Sequence, residues 1–184
     1  GACIGLVVLS PFLAVIALTI LATDGRPVLF RQTRIGLHGR PFEVVKFRTM
    51  VRDAEDRLSG LAAHNEVQGH AFKLSDDPRI TRIGRLLRRT SLDELPQLWN
   101  VVRGEMSIVG PRPPRRGGVE QHALCPRRRL GMRPGSGGVG GVPARHDPAF
   151  DRWVELDLRY IDRWSLWLDL KIMARTVPAM LSGR

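Results

Sequence analysis

Two adjacent carboxylates, Asp93 and Glu94, follow two arginines closely in the run Arg88-Arg89-Thr90-Ser91-Leu92-Asp93-Glu94-Leu95-Pro96-Gln97. A carboxylate can attack phosphorus and carry the group covalently. A second carboxylate beside it can hold Mg2+, which prefers one or two carboxylates completed by substrate phosphates. Guanidinium groups nearby keep carboxylates ionised and grip phosphate. A plainer explanation competes. Ser91 followed three residues later by Glu94 fits a capping box, and acids favour the positive end of a helix dipole. Local sequence alone favours capping. Pro96 weakens that account: with Ser91 as cap it falls beyond the first turn, where proline disrupts a helix. With Asp93 as cap the proline is tolerated, but the box is lost.

The elements that must position this pair can be read from periodicity. Val28-Leu29-Phe30 and Phe42-Glu43-Val44-Val45-Lys46-Phe47 read as two short strands, with Gly36-Leu37-His38-Gly39 as the hairpin turn. Residues 53–66 read as a polar surface helix, with Leu58 and Leu61 on one side. Asp76-Asp77-Pro78 reads as the start of a second helix. Along it Ile80, Ile83 and Leu87 recur at helical spacing, beside a stripe of Arg79, Arg82, Arg85 and Arg89. An apolar face next to an arginine face suits a lipid–water interface, although a solvated basic face reads equally well in isolation. A third helix begins near Ser91, with Leu92, Leu95, Leu98, Trp99 and Val102 on its apolar face and Gly104 at its end. Residues 106–109 read as a strand, 115–148 as a long loop, and 153–160 and 166–177 as helices.

The first 23 residues contain no charged side chain, a length that can span a bilayer. No basic region precedes the run, so it does not read as a cleaved signal peptide. The chain opens on Gly1 rather than Met, as a piece of a longer protein would. Ser10-Pro11 sits near the middle of the run. Proline removes a donor and frees the carbonyl four residues back, for which the Ser10 hydroxyl is a nearby partner. Two geometries follow, a kinked span or a helix that enters one leaflet and returns, and the residues alone do not choose between them. Either way the arginine-rich remainder belongs on the cytoplasmic side. The net charge of +11 calls for an anionic partner. Nucleic acid is disfavoured, because the chain has no helix-turn-helix or zinc finger and a single Tyr. Two cysteines make no disulfide framework, and the five histidines show no metal-ligand spacing.

Several motifs then occur in order: Arg31-Gln32-Thr33-Arg34-Ile35-Gly36, Lys46-Phe47-Arg48-Thr49-Met50, Ser91-Leu92-Asp93-Glu94-Leu95-Pro96-Gln97-Leu98-Trp99-Asn100-Val101, Met106-Ser107-Ile108-Val109-Gly110-Pro111-Arg112-Pro113, Arg133-Pro134-Gly135 and Trp164-Ser165-Leu166-Trp167-Leu168-Asp169-Leu170-Lys171. Together they resemble the bacterial sugar transferases, the monotopic polyprenyl-phosphate phosphoglycosyl transferases, over nearly the whole chain. The resemblance implies a re-entrant membrane helix broken at Ser10-Pro11. It implies Asp93 as the nucleophile that takes a phosphosugar from a UDP-sugar and releases UMP, with polyprenyl phosphate as acceptor. Glu94 matches the family's Mg2+ ligand, and Arg88, Arg112 and Arg145 match its phosphate-contacting arginines. Lys46 and Arg48 add positive charge for substrate phosphate, with exposed strand residues as the plainer alternative. One stretch departs from the pattern. Where the family has Arg-Pro-Gly-Ile-Thr-Gly and then a tryptophan, this chain reads Arg133-Pro134-Gly135-Ser136-Gly137-Gly138-Val139-Gly140. That stretch also spells GxGxxG, but no strand is read before it, so it is not taken as a dinucleotide site.

The expectation is therefore an α+β fold, mostly helical, with a broken re-entrant membrane helix over residues 1–23. Residues 24–184 would form a catalytic domain, with amphipathic interface helices and a small β-hairpin, on the cytoplasmic face of the bacterial inner membrane. The resemblance implies transfer of a hexose-1-phosphate to undecaprenyl phosphate, with Mg2+ as cofactor, at the first membrane step of exopolysaccharide synthesis. Partners are the UDP-sugar, the polyprenyl phosphate and membrane phospholipid, with room for a homo-oligomer. The alternative is a catalytically impaired membrane-bound relative acting as a binding or scaffold protein, and the intact Asp93-Glu94 pair argues against it.

Overall fold

A computed structural model describes residues 1–61, 65, 74, 76–114, 128–138 and 150–182. The uncharged N-terminal run forms helix α1, Ala2–Thr23. Its 22 residues extend about 33 Å at 1.5 Å per residue, close to the hydrocarbon thickness of a bilayer. It is the one helix among the described residues long and apolar enough to cross a membrane. The expected break takes the form of a proline inside one continuous helix, not of two helices. Ser10 Oγ donates to the Val7 carbonyl at 2.8 Å, the acceptor that Pro11 has no N–H to satisfy. That substitution lets the ladder continue through the proline.

Only one face of α1 is covered. Leu13, Ile16, Ala17 and Ile20, spaced three and four apart, meet Val28, Phe47, Ile83, Leu87 and Leu92 in the principal core cluster. Ile4, Val7, Val8, Val15 and Leu18 stay exposed on the other side. At the helix end the backbone turns into β1, Leu29–Ile35, which pairs antiparallel with β2, Pro41–Phe47, across a 3-10 turn at Leu37–Gly39. The expected hairpin is present, and its first strand starts one residue later and ends five residues beyond the apolar triplet. Four consecutive polar residues, Arg31, Gln32, Thr33 and Arg34, run through β1, so its hydrophobic signal is weak although its pairing is complete.

The helices expected after the hairpin form later than the sequence indicates. Within residues 53–61 only α2, Leu58–Leu61, is helical, after a series of turns. Asp77 does not begin a helix. Its Oδ1 accepts the Arg79 backbone N–H at 3.0 Å, a local turn, and both its oxygens take the Arg79 guanidinium at 2.9 and 2.7 Å. Arg79 is thus buried in an ion pair rather than lying on the exposed arginine stripe, which retains Arg82, Arg85 and Arg89. Helix α3, Arg82–Thr90, starts after Thr81, whose hydroxyl caps the Gly84 N–H at 3.0 Å.

Glycine at 84 is required by close approach. A Cβ there would lie 2.1 Å from the Thr49 carbonyl oxygen, so α3 packs directly on the backbone that follows β2. After α3 the Leu92–Gln97 segment is 3-10, followed by the short helix α4, Leu98–Val102. Gly104, with φ of 75°, ends it as expected. β3, Ser107–Gly110, then pairs in parallel with β4, Gly135–Gly138. β4 lies inside the stretch expected to be loop. Glycine allows it, since a Cβ on Gly135 would fall 2.2 Å from the Gly110 nitrogen. Two C-terminal helices, α5 (Phe150–Asp162) and α6 (Leu166–Ser182), complete an α+β architecture that is mostly helical.

Gly84→Ala should force α3 away from Thr49 and destabilise the fold by about 1–3 kcal/mol, read as a lower thermal midpoint in detergent. An unchanged midpoint would show that this approach is not tight.

Candidate active site

Ser91 closes α3 in the left-handed region, with φ of 57°, and its backbone N–H returns to the Arg88 carbonyl at 3.2 Å. The chain therefore reverses sharply just before Leu92. Ser91 makes no side-chain cap, so the capping-box explanation of Glu94 fails. Pro96 finds its place because the segment is a 3-10 turn rather than an α-helix. The reversal directs this turn against β2 and brings the acidic pair beside that strand.

Asp93 is 7% exposed, whereas Glu94 is only half-buried. Burial pushes the Asp93 carboxyl up to about 6, and the Glu94 charge beside it adds to the rise. The cations of Lys46 and Arg88 act in the opposite direction. Arg88 is fixed by its Nε, which donates to Thr49 Oγ1 at 2.8 Å. Lys46 is not the exposed strand residue that the plainer alternative supposed. It is half-buried, its Nζ sits 5.3 Å from the centroid of the Phe30 ring, and Asp93 is its strongest favourable charge partner. Desolvation is the leading cause of its lowered pKa, with Arg88 and Arg34 adding to it. The site thus brings together Asp93, Glu94, Lys46 and Arg88.

Arg48 goes elsewhere. It is 5% exposed, and its Nη2 donates to the Asp24 and Gly25 carbonyls at 2.8 and 2.7 Å. It therefore anchors the turn that follows α1, a correction to the expectation of a phosphate contact. The cause is the end of β2 at Phe47: alternation within a strand would have kept Arg48 on the Lys46 face, but Arg48 lies beyond the strand and turns to the carbonyls at the end of α1.

Arg112 lies on the Pro111-Arg112-Pro113-Pro114 turn, and its backbone is clasped from both sides. Asp157 accepts its N–H, and Arg129 Nη2 donates to its carbonyl at 3.0 Å. Arg129 and Asp157 form a buried ion pair at 2.5 Å. Arg145 lies outside the described residues.

Several site-supporting residues escaped the sequence reading. Asn100, 0% exposed, uses its side-chain amide as a strand partner. Nδ2 donates to the Glu43 carbonyl at 2.7 Å and to Glu105 Oε2 at 2.8 Å, while Oδ1 accepts the Val45 N–H at 3.1 Å. Thr49, which orients Arg88, was visible only as part of a motif. Tyr160 ties α5 to the start of α6 by donating to Asp169 Oδ1 at 2.6 Å. No local signal in the sequence marks any of these pairings.

No group of three or more His, Cys, Asp or Glu side chains able to hold a metal occurs among the described residues. A cation at the Asp93-Glu94 pair would therefore need ligands from a substrate. A carboxylate whose ionisation the neighbouring Glu94 charge makes costlier fits such a cation, and the donor set is all oxygen, which suits Mg2+.

Apolar side chains crowd the surface beyond α1. Leu86, Trp99, Val102, Trp164, Leu166, Trp167 and Leu170 are exposed, Trp167 by 75%.

Comparison with known proteins gives one family and several relatives. The model of the bacterial sugar transferase family matches residues 1–183. The chain is 44% identical to the galactosyl transferase CpsE of Streptococcus agalactiae over all of its own length and 41% of that protein's. It is 40% identical to the undecaprenyl-phosphate galactose phosphotransferase of Salmonella typhimurium, over 86% of this chain and 34% of that one. With the exopolysaccharide production protein ExoY of Sinorhizobium fredii it shares 39% identity, over 100% of this chain and 83% of that one. The chain thus spans well under half the length of the first two.

A carboxyl raised on folding binds protons more tightly in the native state, so its contribution to stability falls as pH rises from about 4 to 6. Asp93→Asn should remove that fall and make the metal-free protein more stable at pH 7.5, by on the order of 2 kcal/mol. Denaturant midpoints at pH 4.5 and 7.5 test this, and a variant less stable at pH 7.5 would contradict the buried, strained carboxylate.

Proposed function

This chain belongs to the bacterial sugar transferase family, and from that premise we propose that it transfers a hexose-1-phosphate from a UDP-sugar to undecaprenyl phosphate, releasing UMP, at the first membrane step of exopolysaccharide synthesis. The observation that carries this reading is a buried carboxylate, Asp93, set beside Glu94 between two cations, Lys46 and Arg88. The relatives' names supply the sugar and lipid classes, and the site supplies the chemistry.

Lys46 and Arg88 draw the donor's phosphates to Asp93. An Asp93 oxygen bonds to the sugar-linked phosphorus as the bond from that phosphorus to the UMP oxygen breaks, and UMP leaves with the electron pair. A phosphate oxygen of the polyprenyl acceptor then attacks the same phosphorus. The aspartyl bond breaks, and Asp93 is restored as a carboxylate. Two displacements at one phosphorus let a soluble donor and a lipid acceptor use the site in turn. Mg2+, held by Glu94, would supply positive charge against the phosphate oxygens of the donor. The fixed guanidinium of Arg88 and the Lys46 ammonium give stabilisation of the same kind without reorganising during reaction. Arg112, on its clasped turn, and Arg145 complete the proposed set of phosphate contacts.

The membrane assignment rests on surface chemistry. The exposed side of α1 carries no charged side chain and is mostly apolar, and Trp99, Trp164 and Trp167 are the amphipathic aromatics favoured at a bilayer interface. We place α1 and the preceding Gly1, residues 1–23, in the inner membrane, with residues 24–184 on the cytoplasmic face. The exposed Arg82, Arg85 and Arg89 suit anionic headgroups there.

With UDP-hexose and undecaprenyl phosphate, the protein should release UMP and hold a trapped phosphosugar after acid quench. Asp93→Asn should abolish both, and survival of either activity in that variant refutes the nucleophile. Glu94→Gln should flatten the Mg2+ dependence, and an unchanged metal response removes Glu94 as ligand.

The pH profile gives a separate check. Asp93 reacts ionised, so the rate of adduct formation should climb with pH through about 6. Lys46 lowers the Asp93 pKa, so Lys46→Met should move that limb to higher pH. A limb that stays in place would detach Lys46 from Asp93.

A further inference from the structure

Lys46 and Asp93 arrive at the site on separate elements, and neither element is fixed there by its own hydrogen bonds. Among the described residues β2 pairs with β1 alone, so its other edge carries no strand, and a lone hairpin is marginally stable. The Leu92–Gln97 turn is six residues of 3-10 structure, too short to persist by itself. Asn100, on α4, joins the turn to the strand.

Its side chain does for β2 what a third strand would do. The Val45 N–H donates to Asn100 Oδ1 at 3.1 Å, and Asn100 Nδ2 donates to the Glu43 carbonyl at 2.7 Å. One amide thus meets both the donor and the acceptor that an open strand edge presents at alternate residues. Nδ2 also donates to Glu105 Oε2 at 2.8 Å. The Asn100 carbonyl accepts the Glu105 and Met106 N–H groups at 3.0 and 3.3 Å, so the backbone beneath the amide is held as well. The residue is 0% exposed, and both polar atoms of its side chain have partners. An aspartate of the same shape has no N–H to give, and a leucine of similar size has neither group.

A clamp on Glu43 and Val45 fixes the residue that follows, and that residue is Lys46. Asp93 stands on the same continuous segment as the clamp, in the turn that leads into α4. We propose that Asn100 is a positioning residue: it sets the separation between the Lys46 ammonium and the Asp93 carboxylate, and so keeps that carboxylate available as the nucleophile. This rests on the reading of Asp93 as the group that takes the phosphosugar. The charges facing Asp93 are Glu94, Lys46 and Arg88, and those facing Lys46 are Asp93, Arg88, Arg34 and Glu94. Of these, Lys46 alone sits on the clamped strand. Loss of the clamp therefore weakens one favourable pair and leaves the remaining charges on their own elements.

The test follows adduct formation from UDP-hexose against pH, using the whole chain in detergent micelles or nanodiscs. Without the clamp the ammonium no longer holds its place, and the Asp93 carboxyl ionises at higher pH. Asn100→Leu should therefore move the acidic limb upward, as Lys46→Met does, and slow the reaction about threefold to tenfold at a pH below the limb. In a Lys46→Met background Asn100→Leu should add no further shift, because the charge it positions is gone. Hydrogen exchange over residues 43–47 should rise in step. Glu105→Ala keeps both bonds to β2 and removes only the tether of the amide. It should give a smaller shift in the same direction, and it decides the matter if Asn100→Leu does not fold. A limb that stays in place while the thermal midpoint falls overturns the proposal, since that is the mark of a packing amide. So does a full additional shift in the Lys46→Met background. If the unsubstituted chain never forms an adduct, the covalent mechanism fails, and denaturant midpoints at pH 4.5 and 7.5 still decide the role of Asn100. A carboxyl raised further by Asn100→Leu steepens the loss of stability between those pH values, and an unchanged slope overturns the proposal.

Discussion

The register of β2 is the constraint on which the rest of this structure depends. Lys46, Phe47 and Arg48 are consecutive and have three separate destinations: the carboxylate pair, the core beneath α1, and the carbonyls at the end of α1. A slip of one residue would send Lys46 into the core and Phe47 into the site. A two-stranded hairpin has little to prevent such a slip. Asn100 supplies the missing restraint, binding the backbone of Glu43 and Val45 on the open edge of the strand. It sits three residues beyond the 3-10 turn that carries Asp93, so one short segment both delivers the carboxylates and fixes the strand they face. Burying an amide this fully is tolerable because its carbonyl and its N–H groups all find partners.

That arrangement also joins α1 to the carboxylate pair through very few bonds. Phe47 packs against Ile16 and Ile20, and Arg48 holds the two carbonyls where α1 ends. From the opposite side, Gly84 lets α3 rest on the Thr49 backbone, and Arg88, about one helical turn later, reaches Thr49 Oγ1. The four residues at positions 46–49 therefore receive the buried carboxylate, the apolar helix α1 and the arginine helix α3 together. Under the proposed function the site needs a fixed position relative to the bilayer surface, and this short strand end is what ties it to α1.

Electrostatically the centre is held away from its most stable state. Asp93 is buried beside a like charge, and two cations offset only part of that penalty. The strain resides at the carboxylate on which the proposed phosphoryl transfer turns, as is common at functional sites. The ion pairs of Asp77 with Arg79 and of Asp157 with Arg129 fix turns rather than activate groups. Burial of charge serves two purposes in one small domain, and the presence of an uncancelled neighbour distinguishes them.

The sequence by itself determined the family, the apolar N-terminal helix, the hairpin, the two C-terminal helices and the adjacency of Asp93 to Glu94. Each is a short-range pattern or an ordered series of motifs, and such signals survive without tertiary context. It also anticipated the Ser10 hydroxyl on the carbonyl freed by Pro11, because that bond spans three residues. Tertiary structure alone decided which nearby charges act. Arg79 and Arg82 look alike on a helical wheel, yet one is buried against Asp77 and the other is exposed, because an aspartate-centred turn delayed the helix. Arg48 looked like a partner of Lys46, but β2 ends at Phe47 and the carbonyls at the end of α1 claimed it for structure. Lys46 looked exposed until the left-handed turn at Ser91 folded Asp93 against it. The physical reason is common to all three: a side chain's charge is legible in the sequence, but its dielectric surroundings and its nearest opposite charge depend on residues dozens of positions away.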